Sequence, residues 1–126
     1  MSIFRYRGYD RLFHKIQKGY KGYVQDHHVI PREFRRHRLI TNLNYDINGR
    51  DNLFIMPNNK GIAKFNMAPG TLVHDGPHRS YNKYVGEKLD EISENRCTDS
   101  QSYYLWLFVS YLKDNLRINK DGIPWK

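Results

Sequence analysis

The chain has 126 residues, a length ordinary for one domain able to bury a modest core without disulfide help. Its 21 lysines and arginines against 13 aspartates and glutamates give a formal net charge of +8. The lone cysteine, Cys97, excludes an intrachain disulfide and a four-cysteine zinc site, and it fits a reducing compartment.

The positive excess is uneven. Residues 1–60 hold 12 basic and 5 acidic side chains, residues 61–126 hold 9 and 8. A basic field gathered in one half suits a polyanion, nucleic acid most simply. Charge alone weighs this equally with a merely basic soluble protein. The opening residues carry no long apolar run of the kind a secretory leader needs. The most apolar stretch, Tyr103 to Leu112, is about half the length of a membrane span. A soluble protein with no membrane association and an intracellular site of action is expected.

No repeat, low-complexity tract or long linker interrupts the chain, so residues 1–126 read as a single domain. Tyr9, Leu12, Phe13 and Ile16 have helical spacing and predict a short helix near 9–18. After Gly19 and Gly22, residues 23–30 read as a strand stopped by Pro31. Residues 32–50 read as a long excursion with a helical turn near 32–38. Asn52-Leu53-Phe54-Ile55-Met56 is a second strand ending at Pro57. Residues 57–73, rich in Asn, Gly and Pro, read as loop. Pro77 suits the first position of a helix, and Tyr81, Tyr84, Val85, Leu89 and Ile92 then recur at three- and four-residue steps. Thr98-Asp99-Ser100-Gln101 has the form of a capping box, opening a helix that runs to about Leu116. Its apolar density at 103–112 predicts a largely buried helix whose aromatics are core rather than a base-stacking platform.

The chemistry gathers on histidine. Four of the six histidines fall in two clusters, His27-His28 on the first strand and His74 with His78 ahead of the helix. Neighbours on a strand face opposite ways unless it bends, so His27 and His28 can do different jobs. His74 and His78 have the spacing of two ligands of one metal on a helix. Gly76-Pro77 between them instead places His74 in the loop and His78 in the first turn, with Asn82 one turn beyond. Imidazole suits zinc and other first-row metals, and oxygen ligands from Asp26 or Asn82 suit magnesium or manganese.

Asp26-His27-His28-Val29-Ile30-Pro31, Tyr45-Asp46-Ile47, Asn52-Leu53-Phe54-Ile55-Met56-Pro57 and His74-Asp75-Gly76-Pro77-His78-Arg79-Ser80-Tyr81-Asn82 together resemble the HNH endonuclease superfamily. Within it they are most similar to the AHH branch, named for an Ala-His-His strand. The resemblance covers roughly residues 25–92, and Asp26 departs from it where the name calls for alanine. It implies an α+β fold with a ββα-metal (His-Me finger) core over about 23–92, flanked by the N-terminal helix and a long C-terminal helix. It implies a hydrolase that cuts nucleic-acid phosphodiesters, usually of DNA with RNA left open, with one divalent ion (Mg, Mn or Zn), leaving a 5′-phosphate and a 3′-hydroxyl. In relatives with an Asp-His-x-x-Pro strand the base stands three residues before the proline. That makes His28 the general base and His27 a ligand, with Asp26 beside the site or solvated. His78 joins His27 as ligand, and His74 and Asn82 compete for the remaining place. By the same resemblance Asn52 is the asparagine of the catalytic set that ties the connecting loop to the strand without needing to touch substrate. Asp46 matches a recurrent position whose role the resemblance leaves open, loop hydrogen bonding ranking first.

A neutral imidazole can take a proton from water near physiological pH. Arg32, Arg35, Arg36 and Arg38 directly after the histidine pair suit phosphate contacts, and Arg79 at a helix start suits transition-state charge. His14, His37 and Cys97 read as structural or surface residues. The small chain leaves little room for a recognition module, so low sequence specificity is expected. A non-catalytic nucleic-acid-binding protein that kept the fold is the alternative. An inhibitory partner protein is expected only at the level of the family.

Overall fold

A computed structural model of the chain describes residues 19–68, 70–94 and 96–126. The helix expected near 9–18, with His14, lies outside them. β1 (Val24–His28) pairs antiparallel with β2 (Leu53–Pro57) in a two-stranded sheet, with His27 opposite Phe54 and His28 opposite Leu53. Between the strands come a 3-10 turn (Arg32–Arg36), a short helix α1 (Arg38–Asn42) and a second 3-10 turn (Arg50–Asn52). After β2 follow α2 (Asn59–Lys64), α3 (Arg79–Ser93) and α4 (Thr98–Arg117). This is the α+β order expected, with the long C-terminal helix in place.

The two faces of the sheet have different neighbours, as the period-two alternation of a strand requires. Val24 and Ile55 pack with Tyr20, Tyr23, Phe65 and Met67 in a small cluster. Met56, with Phe54 at its edge, joins the main core of Val29, Ile30, Leu39, Tyr81, Val85, Leu89, Leu105, Leu112 and Leu116. The stripe Tyr81, Val85, Leu89 and Ile92 on α3 is buried, as its spacing predicts.

Asn52 joins the strand exit to the connecting loop. Its side-chain oxygen accepts from the Ile30 N–H at 2.8 Å and the Tyr45 hydroxyl at 2.9 Å. Its amide nitrogen donates to the Ile30 carbonyl at 3.0 Å and the Ile47 carbonyl at 2.7 Å. The residue is 0% exposed, so these four bonds replace the water it gave up. The Val29 N–H also reaches the Asn52 carbonyl, and the Val29 carbonyl accepts from the Tyr81 hydroxyl at 2.6 Å. Both ends of the Val29-Ile30 step are thus fixed, one by the loop and one by α3.

Four local expectations are corrected. The stretch 57–73 contains helix α2, capped by the Asn58 side chain on the Gly61 N–H. Gly61 sits inside it because a Cβ there would run into the Tyr23 carbonyl oxygen, so the glycine marks a close approach and not a loop. α3 starts at Arg79 with His78 as the residue before it, two positions after Pro77. The His78 backbone, at φ −130° and ψ 66°, is not helical. α4 is preceded by Cys97 in extended backbone, no side-chain cap bond forms, and Gln101 turns instead to the Ser93 carbonyl. The capping box is therefore absent. Finally, α4 buries only a stripe of Gln101, Leu105, Val109, Leu112, Asn115 and Leu116. Tyr103, Tyr104, Trp106, Leu107 and Tyr111 are exposed, against the expectation of aromatics held in the core.

Replacing Asn52 with alanine strands several buried donors and acceptors at once. We expect Asn52→Ala to lose on the order of 3 kcal/mol of stability, read from the urea midpoint at unchanged m-value. A loss below about 0.5 kcal/mol, the size of an ordinary surface change, would refute the tie.

Candidate active site

β1 sends alternate side chains to opposite sides. Gln25 and His27 share the side that meets α3, and Asp26 and His28 take the other. His27 is 1% exposed beneath Tyr81, with ring centroids 5.0 Å apart. The His74 N–H is held by the Pro57 carbonyl at the end of β2, and a left-handed Gly76 turns the chain toward His78 ahead of α3. His27, His74 and His78 offer ligand nitrogens that all lie within 4.8 Å of one another.

Each ring in this cluster has a defined setting. His78 Nδ1 meets the Asn82 side-chain oxygen at 2.8 Å, and His74 Nδ1 meets the Gln25 oxygen at 3.0 Å. With oxygen acceptors on Nδ1, both rings carry that proton and keep Nε2 as a ligand nitrogen. Neither nitrogen of buried His27 has a hydrogen-bond partner among the described residues. Burial, then the neighbouring imidazoles of His78, His74 and His28, hold His27 well below the usual histidine range. Burial, then His78, also lowers His74. Neutral imidazoles and an unsatisfied buried nitrogen are what a transition-metal ion needs, so the donor set fits one divalent ion.

Trp125 covers the cluster. Its ring stacks on His78 at 5.0 Å and 24° and meets His27 edge-on at 5.3 Å. Its indole N–H donates to the Val73 carbonyl. The tail reaches this position through Asn115 bonded to Asp121 and Asn119 bonded to Ile123.

His28 stands apart, with Nε2 3.1 Å from the side-chain oxygen of Asn48. Asn48 belongs to the turn that Asp46 shapes by accepting from the Asn48 N–H, which is the loop bonding expected of Asp46. Burial raises the Asp26 carboxyl on the same strand face. The remaining expected site residues lie in separate places. His27, His74 and His78 meet, with Asn82 on His78. Asn52 is wholly enclosed at the strand exit, bonded to Ile30. Arg32, Arg35, Arg36 and Arg38 are exposed on the first 3-10 turn and α1, and Arg79 is exposed at the start of α3. His37 is structural: its Nδ1 accepts from the Leu39 N–H and its Nε2 meets Asp90 of α3 at 2.7 Å.

Gln25, Asn48 and Trp125 escape the sequence reading. Gln25 alone had a signal, since it lies two residues before His27 on the same face of one strand. Asn48 and Trp125 reach the histidines only through folded loops.

A family model described as AHH, a nuclease family of the HNH/ENDO VII superfamily with conserved AHH, matches residues 10–104. The chain belongs to this family, and its substrate class is nucleic acid. No curated protein and no solved structure matches it. No helix among the described residues is long and apolar enough to cross a membrane.

The lowered His27 and His74 values carry a pH dependence. An unfolded histidine titrates near 6.5, whereas these two stay neutral in the fold to lower pH. The unfolded chain then binds more protons below about pH 6.5, so stability rises with pH there. In chelator, urea midpoints are expected to be highest above about pH 6.5 and to fall as acid approaches the folded values. A flat profile from pH 8 to 5 would contradict neutral rings.

Proposed function

We propose that the chain is a metal-dependent endonuclease of low sequence specificity that hydrolyses DNA phosphodiesters, with His28 as general base and one divalent ion held by His27, His74 and His78. The observation that carries this reading is the convergence of three ligand nitrogens within 4.8 Å beside a fourth, separately anchored imidazole. The ion, when bound, supplies Lewis-acid neutralisation of phosphate and leaving-oxygen charge. An all-nitrogen donor set favours zinc or another late first-row ion over magnesium.

The chain's own groups supply the remainder. Asn48 accepts from His28 Nε2–H, which makes Nδ1 the proton-accepting position and fixes the ring plane. A neutral imidazole then takes a proton from the attacking water. Asn82 and Gln25 orient His78 and His74, and Asn52 holds the strand exit that carries His28. The exposed arginines at 32, 35, 36 and 38 track phosphates, which position the strand without reading sequence. Arg79 offers its guanidinium at the N-terminal end of α3, where a helix already favours anions.

Nicking of supercoiled plasmid with Mg²⁺, Mn²⁺ or Zn²⁺, with and without chelator, tests the reading. We expect ion-dependent nicking that falls about 10²–10⁴-fold in His28→Ala, with an unchanged melting temperature. Activity that survives both chelator and His28→Ala would overturn the mechanism. Binding without cleavage in every ion would favour a non-catalytic binding protein.

Asn82→Ala removes the acceptor from His78 and leaves its ring. Its ion affinity, measured by calorimetry, is expected to drop about 10- to 100-fold. Parent-like affinity would show that Asn82 does not orient the ligand.

A further inference from the structure

The segment that carries Asn48 has a second side. Leu43, Tyr45 and Asp51 face α4 across a cleft of about 400 Å³, within the range of small-ligand sites. On the α4 side it is lined by Ser102, Trp106, Ser110 and Lys113, above the apolar floor of Leu105 and Val109. Trp106 is 65% exposed, so most of its indole surface is open to a partner. Tyr103, Leu107 and Tyr111 extend the same exposed face along the helix. Lys113 is partly buried and makes no hydrogen bond or close ion pair among the described residues. Burial draws its pKa down, and the Asp51 carboxylate raises it in part.

This combination has a definite chemistry. A flat indole beside an apolar floor accepts a ring, hydroxyls and a carboxylate serve the polar edge of that ring, and the Lys113 ammonium, offset only in part by Asp51, accepts an anion. A nucleobase with its adjacent phosphate carries all three features. Position adds to the match. Asn48, which holds the His28 ring, and Asp51, in the cleft wall, are three residues apart, so their Cα atoms lie within about 11 Å. Tyr45, in the same wall, bonds the Asn52 amide that fixes the strand exit. A base still paired in a duplex presents only its edges in the grooves, so it cannot stack here.

We propose that the cleft and the Trp106 face bind an unpaired stretch of the polynucleotide, one base against Trp106 and a neighbouring phosphate on Lys113, so that single strands are preferred to duplex. The identity of the ligand rests on the nuclease reading above. Sequence tolerance follows, because every base has a face to stack.

The test uses the full chain in chelator and an end-labelled oligonucleotide, as single strand and as duplex, in equilibrium titrations. The expected result is tighter binding of the single strand. Trp106→Ala should weaken that binding about 5- to 100-fold while changing duplex affinity less than about twofold. Trp106→Phe should recover most of the loss. Lys113→Met should flatten the salt dependence of single-strand binding by about one phosphate contact. Trp106 is largely exposed, so the Trp106 variants should melt like the parent. Unchanged single-strand affinity in Trp106→Ala, or equal losses on both forms, would overturn the proposal and leave the face to a protein partner. Cleavage assays separate the two readings. Trp106-dependent single-strand binding without cleavage in any ion overturns the nuclease reading and keeps the cleft. Cleavage by the parent with parent-like binding in Trp106→Ala does the reverse.

Discussion

Four hydrogen bonds from one side-chain amide set the spacing on which the histidine arrangement depends. Asn52 binds both polar groups of Ile30 and the carbonyl of Ile47, and takes the Tyr45 hydroxyl as well. An amide has two donor and two acceptor positions, and here all four are filled. An aspartate could not donate to the two carbonyls, and a leucine would leave every partner stranded in a dry interior. The strand exit after His28 and the loop that brings Asn48 to His28 are therefore positioned by the same group. Tyr81 adds a third attachment from α3, through the Val29 carbonyl.

The alternation of β1 divides two adjacent histidines between two environments. His27 goes into the interior, where desolvation keeps its ring neutral. His28 remains half-buried at the edge of the sheet, bonded to a polar side chain and still within electrostatic reach of the cluster. The other two imidazoles of the cluster come from one turn, opened by the left-handed Gly76, and each has a side-chain amide at Nδ1. Both amides come from elements already fixed by packing: Gln25 from the strand, Asn82 from the first turn of α3. The cluster is thus held by rigid neighbours and not by the loop it sits in.

Much of this was legible in the sequence because it rests on local rules. Pro57 closes β2, β1 ends at His28 three residues short of Pro31, and the three- and four-residue steps of α3 mark its buried face. The order of His27-His28, Asn52, His74 and His78 carried the family resemblance. What escaped was non-local. Gln25 and His74 are 49 residues apart, and Asn48 and His28 are 20 apart, so nothing in a short window links them. α2 was hidden because Asn58, Asn59 and Gly61 have loop composition. Their reasons are a helix cap and a steric approach to Tyr23. On α4, the density of aromatics outweighed their phase: Tyr103 falls opposite Leu105 and Leu112, and Trp106 sits about 100° round the helix from Leu105.

The chain has two tryptophans, and the fold separates them. Trp125 stacks on His78, whereas Trp106 stands largely in solvent beside the cleft. Their intrinsic emission should therefore differ in colour and in response. An ion bound at the histidines would act on the half-buried Trp125 indole, and the proposed stacked base would quench the exposed Trp106. Occupancy of each place can then be followed separately and without labels, from the blue and red sides of one emission band.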